Sequence, residues 1–142
     1  MTLPAARPRD ERPTARGARF ASLAFLVAGV CGVAFVTPLF FLRDYIGASF
    51  PPAVTHPEIY FGFVTVTFAW QVAFVLIARD PIRFRPLVPA AMLEKFAYVA
   101  AIASLHARGD LTLLQVAPAV PDFIFGLLFI AAFVKTAPRS TA

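Results

Sequence analysis

The sequence predicts an all-α fold: a four-helix transmembrane bundle, N-in/C-in. Three observations predict it. The chain is 59% hydrophobic and 15% charged, with sixteen Phe in 142 residues. A soluble domain of this size with that composition would leave large apolar patches in water. The apolar residues fall into four runs, each close to the ~20 residues a helix needs to cross a bilayer. Charge-rich loops or tails separate these runs at nearly every boundary. A helix pairs its backbone groups within one segment, as the bilayer interior requires. A membrane β-barrel would show alternating strands of ~10 residues, and no such alternation is visible.

The first run extends from about Phe20 to Leu42 and carries no charge between Arg19 and Arg43. Ala24, Ala28 and Gly32 recur along it at four-residue spacing. Small residues so placed allow close helix packing in lipid, within one bundle or between protomers of a homo-oligomer. The second run covers about Glu58 to Ala78, just after Pro57, where a missing N–H leaves no helical bond unmade. The third covers Leu87 to Leu105, its start framed by Pro86 and Pro89. The fourth lies between Leu111 and Val134. Pro118 and Pro121 interrupt it, because proline removes a backbone bond and clashes with the preceding turn. Leu111 to Ala117 therefore reads as a short helical or interfacial piece, with the continuous helix starting near Pro121.

Residues 1–19 are rich in Pro, Ala and Arg and read as a disordered basic cytoplasmic tail. Residues 20–136 form the membrane domain, and 137–142 a second cytoplasmic tail. The first apolar run is longer than the 7–15 residues of a signal-peptide core and has no small-residue cleavage site after it, so it reads as a retained anchor. Ten basic residues flank one set of helix ends: Arg7, Arg9, Arg12, Arg16, Arg19, Arg79, Arg83, Arg85, Lys135 and Arg139. Only Arg43 and Arg108 flank the other. The positive-inside rule then places both termini in the cytoplasm of a multi-pass inner-membrane protein. The net charge of +5 reflects this asymmetry. Basic residues scattered over three membrane-flanking stretches are not a nucleic-acid surface.

Polar groups inside the apolar runs carry most of the functional information, because an ionisable residue in a membrane helix is costly and faces the interior, a cavity or a partner. Glu94 lies roughly 13 Å from the cytoplasmic boundary and Gln71 roughly 12 Å, by the helical rise per residue. Adjacent antiparallel helices bring the two to one depth, and a Gln71–Glu94 hydrogen bond is expected. Tyr60, Val64, Thr67 and Gln71 follow one face of the second helix, and Glu94, Tyr98, Ala101 and Leu105 one face of the third. Lys95, next to Glu94, points about 100° away from it and is expected to snorkel to the interface. Two readings stand for Glu94: a structural contact that fixes register, or a proton- or ligand-binding carboxylate open to the cytoplasm.

A second constellation is expected toward the outer face. Asp122 lies roughly 20 Å from the cytoplasmic end, directly after Pro121, where the positive end of the helix dipole favours a carboxylate. His56 and Glu58 open the second helix and His106 follows the third. Asp122, Glu58, His56 and His106 are thus the candidate ligand-binding set. His and carboxylates invite a metal, but neither H-x-x-E-H nor H-E-x-x-H spacing occurs, so no metal site is expected. No nucleophile elbow, Gly-rich phosphate loop or Cys–His pair is present, and no cofactor signature. The single Cys31 lies within the first run, and one cysteine forms no disulfide framework.

The stretch from Tyr60 to Lys95, Y-F-G-F…F-A-W-Q-V-A-F…A-R-D-P-I-R-F-R-P-L…L-E-K, resembles uncharacterised small bacterial four-helix integral membrane proteins. In them a W-Q pair, a D-P-x-R-x-R-P loop and an E-K pair recur together. P-D-F-I-F-G-L-L-F-I-A-A-F, residues 121 to 133, is similar to the same group. The resemblance covers about half the chain and implies four helices but no activity. Weaker similarity in size and helix count points to DoxX-like membrane proteins and to EXPERA-type sterol isomerases and sterol-related binding proteins, without a motif match to either. Small multidrug exporters carry a central Glu in their first helix; here that helix is uncharged. The leading expectation is a non-enzymatic membrane protein whose partners are membrane lipids, an apolar small molecule or a membrane complex. A proton-coupled small transporter and an EXPERA-like lipid isomerase are the alternatives.

Overall fold

A computed structural model describes residues 14–49 and 53–138. Among these residues all regular structure is helical. The helices are α1 (Ala15–Val36), α2 (Arg43–Ser49), α3 (Pro57–Arg79), α4 (Val88–Ala107), α5 (Leu113–Val116) and α6 (Ala119–Lys135). Four spans are long and apolar enough to cross a membrane: Ala15–Phe40, Pro57–Arg79, Arg85–Ala107 and Leu113–Lys135.

Local chemistry explains each boundary. The first helix begins at Ala15, five residues before the expected Phe20, because Thr14 caps it: its hydroxyl accepts from the Gly17 N–H at 3.0 Å. Such a cap stabilises by about 1 kcal/mol. Residues 15–19, expected in the tail, are therefore helical, and residues 1–13 and 139–142 of the expected tails lie outside the described residues. At the other end Pro38 ends the α-helical pattern, and Thr37–Phe40 tighten into a 3₁₀ turn. The short helix α2 follows, with Arg43 and Asp44 paired on its exposed surface at 2.5 Å; no apolar period marked it in the sequence. Helix α3 starts on Pro57 and carries Glu58 in its first turn and Arg79 in its last, each favourable to the helix dipole. Helix α4 ends at Ala107, and Gly109 just beyond it takes a φ of 84°, a left-handed conformation suited to glycine after a helix. The fourth span is split as expected, into α5, opened by a Thr112–Gln115 capping box, and α6. The latter starts at Ala119 rather than Pro121. A proline in the first turn forfeits no intrahelical bond, since those N–H groups have no partner in any helix.

The close-packed pairs are α1–α3, α1–α6 and α4–α6; α3–α4 is not among them. Small residues make the contacts of α1. Ala21, Ala24, Ala28 and Gly29 are buried, and a Cβ on Gly29 would sit 2.8 Å from the Gln71 carbonyl oxygen. The small-residue stripe thus serves the bundle itself, through close backbone approach. Gly126 does the same on α6, where a Cβ would lie 2.8 Å from the Phe96 ring.

One end of the bundle, which we call the terminal end, gathers the start of α1 and the end of α6. There Ser22 Oγ donates to the Ala78 carbonyl at 2.7 Å, and an Arg85 N–H donates to the Phe133 carbonyl at 3.3 Å. The Arg85 guanidinium also lies 3.8 Å from the Phe133 ring centroid, within cation–π range. Toward the middle, Phe25 stacks on Phe129 at 4.1 Å, and Phe74 meets Phe129 edge-on at 5.1 Å. With Ala21, Ile77, Val88, Ala91 and Ala132, these rings form the buried core. The outward faces carry Leu23, Phe35, Val66 and Val134, each more than 60% exposed. Apolar exposure of this extent on every span is compatible with an integral membrane protein, whose lipid covers it.

Candidate functional site

Beyond the aromatic core the bundle opens. A cavity of about 560 Å³ lies between α3 and α4, with α1 and α6 behind it. Gly32, Val36 and the neighbouring part of α1 form its back wall, and Phe63, Thr67, Trp70 and Gln71 of α3 one side. Helix α4 contributes Glu94, Lys95 and Tyr98, and α6 contributes Asp122 and Phe125. Its walls are chiefly apolar, with the charged groups gathered on the α4–α6 side.

Lys95 organises that cluster. Val88, Ala91 and Lys95 form one buried stripe on α4, at the three- and four-residue steps that put side chains on one helix face. Lys95 is 4% exposed. Its Nζ donates to Asp122 Oδ1 at 2.7 Å and lies 5.1 Å from the centre of the Phe74 ring. Glu94 Oε2 is 3.3 Å from the same Nζ. That separation is within Coulomb range, yet Glu94 Oε2 accepts no hydrogen bond and is buried. The geometry is that of a charge neighbour, not of a hydrogen-bonded partner.

Several expectations are corrected here. Lys95 does not snorkel to the interface. The Asp122 carboxylate across the close α4–α6 contact holds it inside, where an unpaired ammonium would be costly. Lys95 and Glu94 do approach each other, because long side chains bend toward a common point despite their divergent Cα–Cβ directions. Gln71 and Glu94 line one cavity, but the expected bond between them is not made: Gln71 Nε2 donates to the Thr67 carbonyl of its own helix at 3.1 Å. The cavity keeps α3 and α4 too far apart for it. Tyr98 faces the same space as Glu94, one turn further along α4.

The expected outer-facing set is divided. Asp122 lines the cavity; Glu58, His56 and His106 do not. His56 and Glu58 are both exposed, with Nδ1 and Oε1 3.3 Å apart. The His106 Nδ1 lies 2.8 Å from the Leu111 carbonyl oxygen, in the exposed turn after α4. Asp122, in the first turn of α6, meets Lys95 near the middle of α4, whereas His56 and Glu58 stand at the start of α3 and His106 at the end of α4. The Lys95–Asp122 pair escaped sequence reasoning, although Lys95 continues the small apolar positions Val88 and Ala91.

Chemically, the cluster is a permanently placed ammonium between two carboxylates, facing an apolar space walled by aromatic rings. It presents the Glu94 carboxylate, whose side chain is 17% exposed, to whatever enters. The chain matches no protein-family model, no curated protein and no solved structure. Fold and cavity together define a class: a four-span membrane protein with a polar cluster set into an apolar interior.

Proposed function

We propose that this protein is a non-enzymatic integral membrane protein of a bacterial inner membrane, both termini cytoplasmic, that holds a lipid or other apolar small molecule between its helices. The observation that carries this reading is the cavity of about 560 Å³ with chiefly apolar walls. Ligand sites of about 300–1,000 Å³, largely apolar with a few placed polar groups, are typical for small molecules. The aromatic core that fills the terminal half supports binding over passage, because a binder needs only one opening. Lipid isomerisation would need a histidine and a carboxylate on one substrate, and neither histidine lines the cavity.

A proton-coupled transporter is the second reading. It is favoured by two carboxylates, Glu94 and Asp122, set in the bundle interior beside Lys95. Such groups mark ion or proton pathways in membrane proteins.

The binding reading is tested by photolabelling the detergent-purified protein with an alkyne-tagged diazirine fatty alcohol. Adducts are expected on residues 63–71 and 118–125, and the cavity-filling variant Thr67→Phe should remove most of them while leaving labels on lipid-facing positions. Labelling that Thr67→Phe does not change, or that spares these two segments, rejects the reading.

A further inference from the structure

Among the described residues the charges in the cavity do not balance. Lys95 contributes one positive charge, Glu94 and Asp122 one negative charge each when ionised, and no other described charged side chain lines the space. Lys95 offers three N–H donors. One is donated to Asp122 at 2.7 Å, Glu94 Oε2 lies 3.3 Å from the same nitrogen, and the Phe74 ring stands 5.1 Å away. The ammonium is therefore flanked by two carboxylates and an aromatic ring. Glu94 Oε2, in contrast, is buried and accepts no hydrogen bond. An uncompensated charge and an unsatisfied acceptor in an apolar interior are both costly. Trp70, Phe63, Tyr98 and Phe125 stand around the same space, and aromatic faces attract cations.

From this we infer that the ligand of the cavity is a cationic amphiphile: an apolar chain or ring system ending in an amine or quaternary ammonium group. The inference rests on the binding function proposed above and adds the sign of the ligand's charge. The cationic end lies beside the Glu94 carboxylate and among the aromatic rings, bringing the cluster to neutrality, while the apolar body fills the space toward Val36 and Phe63. An anionic amphiphile such as a fatty acid meets an ammonium already flanked by two carboxylates and adds to the negative excess. A neutral alcohol can donate to Glu94 but leaves the charge uncompensated.

Trp70 supplies a direct readout, because it is the single tryptophan of the chain and lines the cavity. The full-length protein is placed in phosphatidylcholine nanodiscs and titrated with three probes of equal chain length: 12-bromododecyltrimethylammonium, 12-bromododecanoate and 12-bromododecanol. Bromine quenches tryptophan fluorescence on contact, and competition by the unbrominated analogue separates site occupancy from partitioning into lipid. The ammonium should quench saturably at concentrations at least about tenfold below the other two, the scale of one charge-assisted contact. The chain's net charge of +5 biases surface adsorption the opposite way, so this order cannot arise from the protein's overall charge. Glu94→Gln should remove most of the preference for the ammonium over the alcohol.

Equal affinities, or tighter binding of the carboxylate or the alcohol, overturn the inference and leave the binding function standing, with a proton neutralising the cluster. Absence of saturable quenching by all three probes removes the binding function itself. The wild-type comparison decides without any variant, so a misfolded Glu94→Gln protein would not rescue the idea.

Discussion

Removing the Lys95 ammonium would leave Asp122 and Glu94 as neighbouring carboxylates in an apolar interior. Breaking a buried ion pair from one side costs about 3–5 kcal/mol, because the partner charge is left uncompensated. Lys95→Met should therefore lower unfolding stability in detergent by that order. The double variant Lys95→Met/Asp122→Asn should recover a large part of the loss, as it leaves one carboxylate fewer. A reversible unfolding titration of wild type, single and double variants checks both; equal losses in the two variants would show that Asp122 is not the charge Lys95 balances. Gln71 and Glu94 behave differently, since Gln71 bonds within its own helix. The effects of Gln71→Leu and Glu94→Gln should add within about 0.5 kcal/mol, and a larger coupling in the same titration would mean that they meet.

Helix packing turns on where glycine occurs. A side chain at Gly29 would enter the α3 backbone, and one at Gly126 the Phe96 ring, whereas Gly62 has no heavy atom within 4 Å of an added Cβ. Gly29→Val should destabilise by at least about 1–3 kcal/mol, the usual cost of overpacking. Gly62→Ala should instead raise stability by up to about 1 kcal/mol through helix propensity. Thermal unfolding in one detergent ranks the pair, and a neutral Gly29→Val would mean that α1 and α3 are not in backbone contact. The α1 stripe was legible as small residues at four-residue spacing, but its partner was not, because spacing records a face and not what it faces. The start of α6 shifted for a similar local reason: a proline is compatible with the first turn of a helix as well as with its edge.

Across the whole molecule the cavity follows from the packing order. Helices α1 and α6 hold α3 and α4 on separate partners, and the terminal half is filled by Phe25, Phe74 and Phe129. The interior beyond those rings is left open. Orientation belongs to the same scale and rests on the distribution of basic residues. In a Cys31→Ala background, single cysteines at Thr14 and Ser140 should resist an impermeant thiol reagent in intact cells, and one at Ala53 should react. Labelling of Thr14 without permeabilisation would reverse the proposed topology.

The four spans, the break at Pro118–Pro121 and the polar face of α3 were all written in the sequence, because span length, apolarity and helical period are properties of contiguous residues. Glu94, Gln71, Tyr98 and Asp122 were legible as polar groups at membrane depth for the same reason. Their grouping was not. Lys95 and Asp122 stand 27 residues apart, and only the α4–α6 contact decides that one answers the other. Likewise His56, Glu58 and His106 shared an expected side of the membrane with Asp122 but not a place around it. Depth can be counted along a single helix, whereas rotation about the helix axis and choice of neighbour are settled when side chains of several helices pack together. That is why the cavity and its charge belong to the tertiary structure alone.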